Sequence, residues 1–137
     1  MSVEDNITVI KRIVDEVWNK GNTSVLSELL APEYAWLTPE GRTLEGPSGY
    51  ERLVNIIRTA FPDRHAEIED YVGDGDKLAV RFVSRGTFLG KLRDREPTGR
   101  SYVSKYAIFY YFEDGKVVRE SEYITEPTFQ QQVGIAT

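Results

Sequence analysis

The sequence predicts an α+β domain in which three helices precede a meander of four antiparallel strands. Before Pro62, apolar residues recur at helical spacing, whereas after Pro62 they alternate with polar residues. Two tight-turn signals, at 73–76 and 113–116, then separate long strand-like segments. Because the helices and the strands occupy different parts of the chain, a sheet built from βαβ units is excluded.

The helices are expected in the first half of the chain. The first has apolar side chains at helical spacing over 3–18, and the second covers about 24–30 and stops before Pro32. A short strand at 34–37 follows, and it leads to a third helix that Pro62 closes. The apolar side of this third helix consists of Tyr50, Leu53, Val54, Ile57 and Phe61.

The four later strands are predicted at 66–72, 78–84, 102–112 and 117–125. The segment 102–112 is apolar on both faces, which is typical of a central strand that is covered twice. We find no internal repeat and no linker, so residues 1–137 are predicted to form one domain.

Composition excludes several classes of function. The net charge of −5 leaves no basic surface for nucleic acid or an anionic membrane. The chain has no cysteine and one histidine, so thiol catalysis and a multi-histidine metal site are excluded, and no metal is expected. The start of the chain lacks a signal peptide pattern and no apolar run could span a bilayer, so a cytoplasmic location is expected.

Seven short segments carry a family resemblance. They are Phe-Pro-Asp-Arg-His at 61–65, Gly-Asp-Lys at 75–77, Arg81, Gly-Thr-Phe at 86–88, Pro-Thr-Gly at 97–99, Asp-Gly-Lys-Val-Val at 114–118 and Gln-Val-Gly at 132–134. In this order they resemble the motifs of the SnoaL-like polyketide cyclases of the NTF2-like superfamily, over nearly the whole chain. The resemblance implies an NTF2-like cone, in which three N-terminal helices pack on a curved antiparallel sheet that encloses a pocket.

The chain departs from this family at the residues that carry the chemistry. Cyclases of the family use an aspartate late in the last strand as general acid and base. Counting back from Gln132 places Thr125 at that position, in the predicted pocket wall, with Glu126 beside it. The histidine of the family's Gly-Thr-His segment is Phe88 here. Glu126 is therefore the leading catalytic candidate if it lies in an apolar pocket, where burial raises its pKa; otherwise it is a solvated acid that ends a strand.

Two further catalytic candidates are Glu122 and His65. Glu122 shares a strand face with Glu120, so the two are paired acids in the pocket if that face is concave and solvated residues if it is convex. Acids are seldom buried, which favours the solvated interpretation. His65 has an unperturbed pKa near neutrality, but it alternates with the apolar Ala66, which indicates that it points away from the pocket.

Aromatic side chains are the expected substrate contacts. Their rings would hold a planar ligand, and a phenol would hydrogen-bond a carbonyl or enolate oxygen, although the same side chains could simply form the core. Arg81 is expected either to anchor an anionic substrate or to pair with an acid across the strands. The aromatic candidates are Trp36, Tyr50, Phe82, Phe88, Tyr106 and Tyr110.

Two functions remain open on this evidence. The resemblance implies a cofactor-independent cyclase, isomerase or lyase that acts on a small hydrophobic carbonyl compound. The alternative is a non-catalytic protein that binds a small apolar ligand in the same pocket, as the missing aspartate and histidine favour. In either case the segment 102–112 is apolar on both faces, and one of these faces needs a cover other than the helices. We therefore expect a homodimer.

Overall fold

The fold, seen in a computed structural model that describes residues 2–135, is a six-stranded sheet with helices packed on one face. The helices are α1 (Val3–Arg12), which continues as a π-helical segment (Ile13–Trp18), α2 (Leu26–Leu29) after a 3-10 turn (Thr23–Val25), α3 (Gly46–Ala60) and α4 (Phe129–Val133). The strands are β1 (Leu30–Leu37), β2 (Thr43–Glu45), β3 (His65–Asp74), β4 (Lys77–Thr87), β5 (Ser101–Glu113) and β6 (Lys116–Ile124). The predicted α+β class is confirmed.

The sheet has the order β2-β1-β6-β5-β4-β3. Strands β3 to β6 form the predicted antiparallel meander, and the expected turn signals lie between β3 and β4 and between β5 and β6. Strand β1 differs from the expected antiparallel arrangement because it runs parallel to β6, with Trp36 opposite Glu120. This pairing makes β6 an interior strand, flanked by β1 and β5.

Three elements depart from the boundaries that the sequence predicts. Strand β1 begins at Leu30 and contains Pro32, which lies where the pairing with β6 is irregular between Leu30 and Ala35. Proline has no N–H to donate to a ladder, so this irregular stretch is where a strand tolerates it. Strand β2 and helix α4 were not predicted; α4 begins with a capping box of Thr128 and Gln131.

Apolar side chains form two clusters among the described residues. The larger one lies between the helices and the inner face of the sheet, which we define as the face that packs against α1 and α3. The smaller one packs α4 against the end of α3 and consists of Ala60, Phe61, Phe88, Tyr102, Val133 and Ile135. Within residues 2–135, the helices are too short or too polar to cross a membrane.

Candidate active site

The candidate site lies on the inner face of β6. Glu120 and Glu122 pair with Tyr110 and Ile108 of β5, two residues that are buried against the helices. Side chains two residues apart on a strand point to the same face. Both carboxyl groups therefore face the interior of the protein. This is the arrangement expected if their strand face is concave, which was one of the two possibilities that the sequence left open.

Glu120 is a buried acid with 1% of its surface exposed. Its Oε2 accepts a hydrogen bond from the hydroxyl of Tyr34, and its Oε1 has no partner within residues 2–135. Burial raises the pKa of Glu120 from 4.5 to about 8; the Tyr34 hydrogen bond opposes this rise, and the charge of Glu122 adds to it. Glu120 therefore holds its proton at neutral pH.

Phenol groups surround Glu120. Burial raises the pKa values of Tyr34, Tyr50 and Tyr110 well above the usual range, and the nearby charge of Glu120 raises them further. The ring of Tyr50 lies 5.7 Å from that of Tyr34, and its hydroxyl accepts a 2.6 Å hydrogen bond from Nε1 of Trp18. These phenols stay neutral, so they can donate hydrogen bonds at any physiological pH.

Glu122 differs from Glu120 because it is only partly shielded from solvent. Burial raises its pKa from 4.5 to about 7, whereas the positive charge of Arg64 lowers it and the charge of Glu40 raises it. At neutral pH, Glu122 thus exists in both its ionised and its protonated forms. Two carboxyl groups on one strand with different proton affinities are a typical arrangement for acid and base catalysis.

Arg64 completes the polar part of the site. It lies in the turn between α3 and β3, and its guanidinium carbon sits 4.5 Å from the ring centre of Trp18. Its Nη2 donates a 3.2 Å hydrogen bond to the hydroxyl of Tyr106, whose ring stacks on Phe82. Among residues 2–135 no group of three or more His, Asp or Glu side chains could hold a metal ion.

The structure places most of the predicted aromatic residues together. Tyr106 lies on the inner face of β5 and is half-buried, and Trp36 stands opposite Glu120. The fully buried members of this group are Trp36, Tyr50, Phe82 and Tyr110. Phe88 is different: it packs in the smaller cluster, with its ring 5.4 Å from that of Phe61. Phe88 is therefore separated from the aromatic residues around Glu120.

The structure also corrects the expected positions of Glu126 and Thr125. Strand β6 ends at Ile124, and both residues are exposed beyond it. The hydroxyl of Thr125 donates a 3.0 Å hydrogen bond to the backbone oxygen of Lys105, outside the site. Counting back from Gln132 therefore reaches residues that lie after the end of β6. The positions of this strand that face the interior are 120, 122 and 124.

His65 and Arg81 point to the outer face of the sheet. The Nε2 of His65 lies 3.4 Å from a carboxylate oxygen of Glu67, and the Nε of Arg81 lies 3.6 Å from one of Glu69. Both side chains are exposed. The contact of Arg81 with Glu69 is the cross-strand pairing that was one of the two expectations for Arg81. The outward direction of His65 agrees with its alternation with the apolar Ala66.

Access to the two acids is unequal. A surface depression of about 310 Å³ is lined by residues around Tyr34, and another of about 380 Å³ lies on the outer face beside Phe109. Glu120 and Glu122 line neither of them. Glu122 is partly exposed, whereas Glu120 is sealed by the side chains around it. A molecule from solvent therefore meets Glu122 first.

Sequence reasoning did not single out Tyr34 or Arg64. Tyr34 stands two residues before Trp36, so the alternation already placed it on the same face. Arg64 lies in a turn before β3, where neither helical nor strand periodicity indicates the direction of a side chain. Glu120 was recognised as the partner of Glu122 but was expected in solvent, because acids are seldom buried.

The comparisons with known proteins agree with this architecture. The sequence profile of the family described as SnoaL-like polyketide cyclase matches residues 8–133. No curated protein sequence matches the chain. A proposed SnoaL-like polyketide cyclase from Jannaschia sp. CCS1 is 18% identical, with a TM-score of 0.87, and the match covers 100% of this chain and 98% of that one.

Two other solved structures are similar in both sequence and fold. IdmH, a proposed polyketide cyclase from Streptomyces antibioticus, is 26% identical with a TM-score of 0.79; the match covers 94% of this chain and 98% of IdmH. A proposed polyketide cyclase from Acidithiobacillus ferrooxidans is 26% identical with a TM-score of 0.81 over 100% of both chains. Because the family profile spans nearly the whole chain, this protein belongs to the SnoaL-like polyketide cyclase family.

Proposed function

We propose that this protein is a cofactor-independent enzyme that moves protons on a small hydrophobic carbonyl compound, as a cyclase, isomerase or lyase does. The observation that carries the proposal is the pair of inward carboxyl groups on β6, Glu120 and Glu122. Their pKa values of about 8 and about 7 suit proton exchange at neutral pH. The proposed polyketide cyclases among the structural neighbours support a carbonyl substrate.

The roles of the two acids follow from their exposure. Ionised Glu122, which solvent reaches, takes a proton from the carbon next to a carbonyl group. The electron pair of that C–H bond forms the C=C bond of the enolate, and the π pair of the C=O bond moves to the oxygen. The enolate then attacks a second carbonyl group of the same molecule, or is protonated at another carbon. The proton that Glu122 took then passes to the alkoxide oxygen or the carbon of the product, which regenerates the base. Glu120, whose Oε2 accepts the hydrogen bond of Tyr34, keeps its own proton at neutral pH and lies sealed behind Glu122. No electrons are gained or lost overall, so the reaction requires no redox cofactor.

Exchange of hydrogen for deuterium tests this base without knowledge of the natural substrate. An aryl methyl ketone is incubated with the protein in D2O, and NMR follows the loss of its α-proton signal. We expect wild-type protein to exceed the buffer rate and Glu122→Gln to lose at least about tenfold, because a positioned base contributes about 10²–10⁴-fold. Glu126→Gln, at an exposed position outside the site, is the matched control. Exchange at the wild-type rate in Glu122→Gln would remove Glu122 from the mechanism.

The alternative function is binding of a small apolar ligand without chemistry. One observation favours it: Glu120 is sealed and already bonded to Tyr34, as a purely structural acid would be. The same exchange experiment separates the two functions. A non-catalytic binding protein would bind the ketone saturably, and wild-type protein would then show no exchange above the buffer rate.

We also propose that two copies of the chain associate through the outer face of the sheet. Val103, Phe109 and Tyr123 are exposed there, and the rings of Phe109 and Tyr123 meet edge to face with centres 5.9 Å apart. The depression on this face is lined by the same two rings together with Tyr111 and Ser121. Exposed aromatic rings that meet on an open sheet face are typical of a surface that binds a protein partner.

A further inference from the structure

Arg64 carries a buried hydrogen-bond donor that the proposed proton transfer does not use. The neighbouring residue His65 points outward, whereas the guanidinium of Arg64 turns into the interior and stacks on Trp18. Its Nη2 is bonded to Tyr106, but its Nη1 is shielded from solvent and has no partner within residues 2–135. Arg64 forms no ion pair in this part of the chain either.

A charged donor left without a partner is costly. A buried donor without a partner gives up its hydrogen bonds to water and gains none in return, and the loss is larger for a charged group. Burial favours the neutral form of Arg64, but the phenols of Tyr106 and Tyr102 more than offset this and hold its pKa above the ordinary value. Arg64 is therefore always positively charged. Buried polar groups nearly always have a hydrogen-bond partner, so the unpartnered Nη1 of Arg64 requires a functional explanation.

We propose that Nη1 of Arg64 and the hydroxyl of Tyr106 together bind the substrate oxygen that becomes negative when the α-proton leaves. This assignment rests on the proposed function, since Glu122 is the base that creates the charge. The hydroxyl oxygen of Tyr106 accepts from Arg64, so its own proton is free to donate to a ligand. The substrate class is thus a carbonyl compound that passes through an enolate.

Glu122 is near Arg64 without being bonded to it. The charge of Arg64 lowers the pKa of Glu122, yet the two side chains form no ion pair. The other charges that act on Glu122 and its surroundings are Glu40, from the turn after β1, and Glu120 on the same strand. A base and a cation that lie near each other without an ion pair can contact two atoms of one substrate, the α-carbon proton and the carbonyl oxygen.

Hydrogen bonds next to Arg64 fix the backbone that carries it, as a donor for a developing charge requires. Asn19 follows Trp18, and its side-chain amide forms two hydrogen bonds with the backbone of Ala66. Its Nδ2 donates to the Ala66 oxygen at 3.0 Å, and its Oδ1 accepts from the Ala66 N–H at 2.9 Å. These two bonds tie the end of the π-helical segment to the start of β3, next to the stacked pair of Trp18 and Arg64. The donor is thus in place before a substrate arrives.

Binding of 4-nitrophenol tests the assignment, because its phenolate resembles an enolate and absorbs visible light when it is ionised. We expect wild-type protein to bind the phenolate and to lower the pKa of the bound phenol by about one unit or more. Arg64→Met should weaken phenolate binding at least about tenfold, since hydrogen bonds to charged groups contribute about 1.5–3 kcal/mol. Arg81→Met, which removes an exposed arginine from the outer face, is the matched control and should bind as wild type does.

Two further variants keep the outcome decisive. Arg64→Lys keeps the positive charge and so protects the fold, but it loses the planar fork and should bind phenolate more weakly than wild type. Glu122→Gln should bind phenolate at least as tightly as wild type, because it removes a competing negative charge. If exchange survives in Glu122→Gln while Arg64→Met loses phenolate, the base is wrong and the role of Arg64 stands. Equal phenolate binding by wild type, Arg64→Met and Arg64→Lys, or none by wild type, would overturn the assignment.

Discussion

Replacing the buried carboxyl group of Glu120 by an amide should change how the stability of the protein depends on pH. The folded protein holds this proton up to a pKa of about 8, whereas the unfolded chain releases it near 4.5. A group whose pKa is raised by folding favours the folded state at low pH, and that contribution is lost as pH rises from the unfolded toward the folded value. Wild-type protein should therefore become less stable between pH 5 and pH 8.

The size of this loss follows from the two pKa values. Each unit of pKa difference is worth about 1.4 kcal/mol, and between pH 5 and pH 8 the unfolded chain ionises while the folded protein mostly does not. Wild-type protein should lose about 3 kcal/mol of unfolding free energy across this range relative to Glu120→Gln. The amide oxygen still accepts the hydrogen bond of Tyr34, so the variant keeps that contact.

Urea unfolding measured at pH 5, 6, 7 and 8 gives the required free energies for wild-type protein, Glu120→Gln and the exposed control Glu126→Gln. We expect the Glu120→Gln curve to be flatter than the other two and its advantage to grow with pH. Parallel stability profiles for wild type and Glu120→Gln would show that Glu120 is solvated, and the argument for a raised proton affinity would fail.

The two remaining predictions concern packing and assembly. Phe88 is fully buried, whereas its neighbour Leu89 is 54% exposed. Phe88→Ala should therefore cost about 3–5 kcal/mol of unfolding free energy, and Leu89→Ala should cost far less. Equal losses in urea unfolding would contradict the assignment of Phe88 to the smaller cluster. Phe109→Ser combined with Tyr123→Ser should convert a dimer into a monomer in sedimentation at micromolar concentration, and a wild-type protein that sediments as a monomer would contradict the proposed association.

Alternation of apolar and polar residues predicted the meander well, because a one-residue shift in register would expose a whole buried face. The same alternation placed Glu120 and Glu122 on one face but could not say which face the helices cover. That choice depends on β1, which pairs with β6 from more than eighty positions earlier in the chain and brings Tyr34 to Glu120. Such a contact leaves no local pattern in the sequence.

Other differences had signals that sequence reasoning passed over. Thr128 and Gln131 have the spacing of a capping box, and Gly134 ends the helix in a left-handed conformation with φ of 86°, so α4 was predictable. The error at Glu126 had another source, because counting along a family pattern assumes that the strand continues to that residue. The direction of Arg64 was not predictable, since a turn has no periodicity from which to derive it.

The inward positions of β6 differ in their distance from water. Glu120 is sealed and its pKa is about 8, whereas Glu122, two residues on, is partly exposed and its pKa is about 7. Ile124 occupies the next inward position. Moving an acid by two residues along this strand would keep its direction while altering how much hydration it loses and which charges it meets, so acidity here can be adjusted by position along one strand, with no change of scaffold.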